Sequence, residues 1–101
     1  AEHVDEVWVC RGGLGAQIGL GEMARFVYAF DPRSLACPVL MAGQILEHLT
    51  RHPSPTRSEV CHVHDLLARG YAGIVLSDET AVGSDPVRAV RAAVALFADL
   101  A

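Results

Sequence analysis

The sequence predicts an α/β fold of parallel strands joined by crossover helices. Three observations carry this expectation. Three short apolar runs, Val7 to Cys10, Pro38 to Ala42 and Gly73 to Leu76, have no polar alternation, which suits strands buried on both faces. Each is followed by a segment with helical spacing or helix-start chemistry, and the resulting order of strand, helix, strand, helix, strand, helix is that of a parallel sheet. At 101 residues with 51% apolar content, the chain has material for one modest core.

The first run opens directly into Arg11-Gly12-Gly13-Leu14-Gly15. A glycine turn after a buried strand presents bare backbone N–H groups, which suits a carboxylate or phosphate, although a tight turn without a ligand has the same spacing. It does not fit the dinucleotide pattern G-x-G-x-x-G, because Ile18 stands where the third glycine falls when counting starts at Gly13. Beyond the turn, Met23, Phe26, Val27 and Phe30 recur at helical spacing, and Asp31-Pro32 ends that helix because the proline ring cannot continue it.

After the second run, Gln44 to Thr50 is expected to form a short helix, broken by His52-Pro53-Ser54-Pro55. Thr56 then caps the next helix, with Glu59 reaching back in a capping box. That helix should run to about Arg69 with Val60, Val63 and Leu67 as its apolar stripe and Gly70 as a left-handed C-cap. The last helix starts at Asp85 as N-cap and Pro86 in its first turn, and Val87, Val90, Val94 and Phe97 are expected to face inward. In such sheets ligands meet the carboxyl ends of the strands, so Arg11 to Gly15, Gly43-Gln44 and Ser77 to Thr80 are the informative loops, expected on one side.

Composition narrows the chemistry. Lysine is absent, which removes Schiff-base chemistry and a phosphate-cradling lysine from what the chain supplies. The net charge of −4 and the scattered arginines argue against a nucleic-acid footprint. No apolar run reaches the roughly 20 residues of a membrane span, and the default compartment is the cytoplasm. Cys10, Cys37 and Cys61 have no paired spacing and read as reduced, buried small hydrophobes. His48, His52, Cys61, His62 and His64 do not assemble a closed zinc set by spacing. Asp78 and Glu79 are adjacent, so as helix-capping or solvated carboxylates they have a simpler account than as a cation site. The initial Ala reads as a cut or processed edge.

Four strings, DEVWVCRGGLG, CPVLMAGQILEHL, HPSPTRSEV and AGIVLSDETAVGSDPVRAV, resemble successive segments of the pyruvate kinase catalytic barrel, in that family's order. The resemblance implies that residues 1–101 are a partial barrel domain corresponding to the last three βα units of a TIM (β/α)8 barrel. The family reaction is phosphoryl transfer from phosphoenolpyruvate to ADP, giving pyruvate and ATP in glycolysis, with Mg²⁺ and K⁺. The family's nucleotide-binding groups, potassium site, catalytic Lys and magnesium-binding Glu have no counterpart here, so no cofactor site is expected to be intact.

By the same resemblance, Gly12 matches the glycine whose backbone binds the substrate carboxylate, and Gly13 stands where the family has the Asp that ligates Mg²⁺. Gly43 replaces a substrate-contacting Thr, Gln44 matches, and Asp78 replaces a Gly. Gly12, Gly13, Gly43 and Gln44 are thus the candidate substrate-binding positions, with no catalytic residue intact. Thr56 and Arg57 are a candidate interface, by analogy with barrel-to-barrel contacts in the family. Three functions stay open: a degenerate segment inactive as the isolated chain, a part of a larger active phosphotransferase, and a non-catalytic binding or assembly module. A three-stranded sheet leaves edges and apolar helix faces uncovered, so other barrel segments or self-association are expected to complete it.

Overall fold

The computed structural model describes residues 4–76 and 83–100. They fall into two compact units, Ala1–Gly43 with Leu66–Val75, and Gln44–Asp65 with Leu76–Ala101. The expectations for Ser77, Asp78, Glu79 and Thr80 lie outside the described residues.

The first unit holds the sheet. Strands β1 (Val7–Cys10), β2 (Val39–Ala42) and β3 (Gly73–Val75) are parallel and lie in the order β1-β2-β3. The register pairs Val9 with Met41 and Met41 with Ile74, so the apolar runs meet side by side. The middle strand is the most buried: Val39, Met41 and Ala42 form the core with Val9, Leu66 and Tyr71. Burial on both faces does not extend to β1, where Trp8 is 52% exposed and Cys10 is exposed. Among the described residues only β2 has a strand on each side, and β1 pairs on one side alone.

Helix follows β1 without an intervening turn. Helix α1 spans Arg11–Ile18, where the sequence predicts a glycine turn, and α2, the expected helix, spans Leu20–Ala29; the two are divided at Gly19, whose φ of +87° an L side chain rarely adopts. Asp31 and Pro32 end this region as expected: Asp31 accepts from the Arg33 N–H at 2.9 Å and Pro32 opens a 3-10 turn.

Helix α3 (Arg57–Arg69) begins in the second unit and ends in the first. Its capping box forms as the sequence predicts. The Glu59 N–H donates to Thr56 Oγ1 at 3.1 Å, and the Thr56 N–H donates to Glu59 Oε1 at 2.8 Å. Gly70 closes the helix at φ +107°. Its buried positions are Val63 and Leu66, with Val60 and Leu67 half-buried.

In the second unit, Gln44 to Thr50 is not a helix. Gln44 has φ +51° and only Glu47–Thr50 coils, as a 3-10 turn. The core is Ile45, Leu46, Leu49 and Val63 with Ala89 and Ala93 of helix α4 (Pro86–Leu100). Asp85 caps α4, accepting from the Arg88 N–H at 3.0 Å. The inward stripe differs from the expected one: Val87, Val90 and Val94 are 59%, 43% and 64% exposed. Ala89 and Ala93, four residues apart, form the buried line, and α4 packs on the Glu47–Thr50 turn. Small side chains permit a close approach of backbones, which the larger valines would prevent.

The cysteines are not buried. Cys10 and Cys61 are exposed and Cys37 is half-buried, all as free thiols. Each sits at a strand end, a loop or a solvated helix face rather than in the core.

Candidate functional site: the carboxyl ends of β1 and β2

Cys10 ends β1 in extended conformation, with φ −97° and ψ 93°, and serves as N-cap of α1. Its side chain makes no capping bond, so the first amides of α1 have neither an intrahelical acceptor nor a side-chain cap from this residue. The expected glycine turn is therefore the first turn of a helix. Gly12 and Gly13 are exposed and lie two and three residues past the cap, where the N–H groups and the helix dipole concentrate positive potential. Neither has positive φ, and a Cβ at either would have no atom within 4 Å outside its immediate surroundings. Glycine is not required here by the backbone; its effect is to leave the amides unshielded.

The end of β2 comes beside this turn. Cys10 pairs with Ala42, so Arg11 and Gly43 are the residues immediately after the paired ends. The Arg11 Nη2 donates to the Gly43 carbonyl oxygen. A Cβ on Gly43 would lie 3.9 Å from the Gly12 nitrogen. Gly43 has φ +93°, a conformation that β-branched residues rarely adopt, so a glycine is favoured at this position by the backbone itself. Burial of the Arg11 guanidinium lowers its pKa, an effect partly offset by the charge interaction with Tyr71. An arginine stays charged under such a shift, which puts a permanent cation at the strand ends.

Of the expected positions, Gly12, Gly13 and Gly43 come together in the first unit. Gln44 opens the second unit and is exposed. Thr56 and Arg57 stand at the start of α3, with Thr56 committed to the capping box and Arg57 exposed. Glu59 also takes the His48 N–H at 3.0 Å, which ties the Glu47–Thr50 turn to α3. Beside these residues is a hollow of about 590 Å³ lined by Glu47, His48, Arg51, His52 and Glu59. The His48 and His52 rings stack there with centroids 3.9 Å apart. An i, i+4 histidine pair is visible in the sequence, but its stacking depends on the 3-10 turn. Arg11 was legible only as part of the glycine string; its bond to Gly43 joins residues 32 positions apart.

No carboxylate stands at Gly13, and among the described residues no group of three or more His, Cys, Asp or Glu is placed to hold a metal ion. Gly13 also lines an apolar hollow of about 310 Å³ with Trp8, Leu14, Phe26 and Phe30 among others, and among the described residues no charged side chain lines it. It does not suit a phosphorylated ligand. Among the described residues no helix is long and apolar enough to cross a membrane.

Three parallel strands joined through helices define the class, an α/β protein. The family described as pyruvate kinase, barrel domain, matches residues 1–90, and the chain belongs to the pyruvate kinase family. It is 40% identical to pyruvate kinase 2 of Saccharomyces cerevisiae, over 97% of this chain and 20% of that protein. It is 37% identical to the chloroplastic pyruvate kinase isozyme G of Ricinus communis, over 86% of this chain and 21% of that protein. With the pyruvate kinase of Chlamydia trachomatis the identity is 35%, over 90% of this chain and 19% of that protein. The chain thus spans about a fifth of the length of these curated relatives.

Proposed function

We propose that this chain carries the carboxylate-binding edge of a pyruvate kinase-type site and does not by itself transfer a phosphoryl group. The observation that carries the reading is the start of α1, where unshielded Gly12 and Gly13 amides stand beside the Gly43 turn while position 13 lacks a carboxylate. Backbone N–H groups at a helix start bind an anionic oxygen without any metal. Phosphoryl transfer needs more, because charge on the phosphate oxygens must be neutralised and the reacting oxygens aligned, work in which a divalent ion is central. Gly12, Gly13, Gly43 and Gln44 are the proposed contacts for phosphoenolpyruvate or pyruvate; ADP and ATP enter only as the family's other substrates. A cytoplasmic location belongs to this reading, alongside relatives whose names include chloroplastic forms.

The test is an assay of the purified chain with phosphoenolpyruvate, ADP, Mg²⁺ and K⁺. Pyruvate formation at the background rate is expected, and clear turnover would overturn the reading. Binding of phosphoenolpyruvate is measured separately, through amide shifts of Gly12 and Gly13.

A second reading, an assembly module, is favoured by the exposed apolar residues: Trp8 on the β1 edge, and Val87, Val90 and Val94 on α4. Thr56 and Arg57 would belong to its contact surface. Sedimentation of the chain decides it, since a monodisperse monomer over a wide concentration range would rule it out.

A further inference from the structure

We propose that Arg11 is a positioning residue for the carboxylate cradle: its guanidinium holds the Gly43 carbonyl and so keeps the Gly43 turn beside the Gly12 amide. This rests on the carboxylate-binding reading above and adds a residue to it that makes no proposed contact with substrate.

The bond joins the two strand ends at the point where the sheet stops doing so. The parallel ladder pairs Cys10 with Ala42 and goes no further, because α1 begins at Arg11 and the chain turns at Gly43 with φ +93°. A glycine in that conformation has many alternatives open to it, so something outside its own backbone must select one. Arg11 does so by donating Nη2 to its carbonyl oxygen. The selected geometry is close: the Cβ direction of Gly43 points within 3.9 Å of the Gly12 nitrogen. Half-burial of the guanidinium strengthens this charge-assisted bond, since less water competes for the carbonyl.

The experiment uses the full chain, isotopically labelled, with phosphoenolpyruvate as the probe. Three variants are compared with the parent: Arg11→Met, which keeps the stem and loses every donor; Arg11→Lys, which keeps charge and one donor group; and Arg11→Gln, which keeps a donor without charge. The carbonyl shift and amide exchange of Gly43 report the turn, and the Gly12 and Gly13 amide shifts report the probe. In Arg11→Met the Gly43 signals should move and its amide should exchange faster, with affinity falling about tenfold or more, as for loss of a hydrogen bond to a charged group. Arg11→Lys should restore affinity to within about threefold of the parent. If Arg11→Met does not fold, Arg11→Gln is read in its place: its shorter, uncharged side chain gives up the charge-assisted bond, so the Gly43 signals should move and affinity should fall together, and unchanged Gly43 signals overturn the positioning role.

Unchanged Gly43 signals in the folded Met variant would overturn the positioning role. So would a displaced Gly43 turn with unchanged affinity, since the turn would then be irrelevant to binding. Absence of any Gly12 or Gly13 response in the parent would instead overturn the carboxylate reading itself, and the positioning role with it. The two failures are thus told apart by whether the parent responds.

Discussion

Arg33 lies across Gly70: a Cβ on Gly70 would come 2.5 Å from the Arg33 Cγ and 2.8 Å from its Nε. From that position the Arg33 Nη2 donates to the Ala68 carbonyl at 2.7 Å, satisfying one of the last carbonyls of α3. One arginine thereby links the loop after α2 to the helix end that feeds β3, and the left-handed glycine, φ +107°, provides both the turn and the room.

Gly70→Ala should therefore destabilise the fold. The left-handed backbone disfavours any Cβ, and the Arg33 stem must also shift, so a loss of roughly 1–3 kcal/mol is expected. Urea unfolding followed by far-UV circular dichroism measures it. A midpoint equal to that of the parent would contradict the packing described here.

Positions 13 and 43 should respond in opposite ways to an added side chain. Gly13→Asp meets open space in the first turn of α1, where a negative charge complements the helix dipole, and is expected to be neutral or stabilising by about 0.5–1 kcal/mol. Gly43→Thr forces a β-branched residue to φ +93° and should cost about 1–3 kcal/mol. Thermal melts of the two single variants check the contrast.

Tyr71 is 4% exposed, and its hydroxyl is buried without a hydrogen-bond partner. Burial raises its pKa above the usual phenol value, with the charges of Arg69 and Arg11 pulling the other way. A raised pKa means that the folded chain holds the phenol proton more tightly than the unfolded chain. The stabilisation is thus complete below the ordinary value near 10 and is lost as pH rises from there through the folded-state pKa. Tyr71→Phe should gain up to about 1 kcal/mol at neutral pH by removing the unpaired hydroxyl. It should also flatten the alkaline loss, which denaturant titrations between neutral and strongly alkaline pH would show.

The two faces of α4 should differ in tolerance. Ala93→Leu adds volume on the buried line and is expected to cost about 1–3 kcal/mol. Val87→Ser and Val94→Ser, on the exposed face, should each change stability by no more than about 0.5 kcal/mol. Comparing the thermal midpoints of the three variants tests which stripe of the helix is inside.

Removing the capping box tests the join between α3 and the turn before it. Glu59→Ala leaves both the Thr56 and the His48 N–H groups without their carboxylate acceptor, so a loss of about 1–2 kcal/mol is expected. Thr56→Ala removes only the reciprocal bond to the Glu59 N–H and should cost less. Amide exchange at His48, faster in the Glu59 variant and unchanged in the Thr56 variant, distinguishes the two.

Local chemistry by itself determined much of this protein. Apolar runs too short for helices located all three strands, the Thr56–Glu59 spacing announced the start of α3, and Gly70, Pro32 and Asp85 marked boundaries that the structure shows where expected. Each of these signals acts within a few residues, so no distant contact is needed to read it. The resemblance of four strings to one family likewise pointed to the barrel, which the match over residues 1–90 bears out.

Only the tertiary structure decided which surfaces are inside and what meets at the strand ends. The valine stripe of α4 and the alanine stripe are both apolar, and their periodicities are equally helical; Ala89 and Ala93 are buried because close packing on the Glu47–Thr50 turn favours the smaller residues. β1 reads like β2, yet its Trp8 and Cys10 are exposed, because among the described residues β1 has a paired strand on one side only, a property of strand order and not of composition. The Arg11 bond to Gly43 spans 32 positions and depends on the parallel register, which brings the ends of β1 and β2 level. Sequence patterns record what a residue prefers locally, whereas burial and long-range pairing depend on which neighbours the fold supplies.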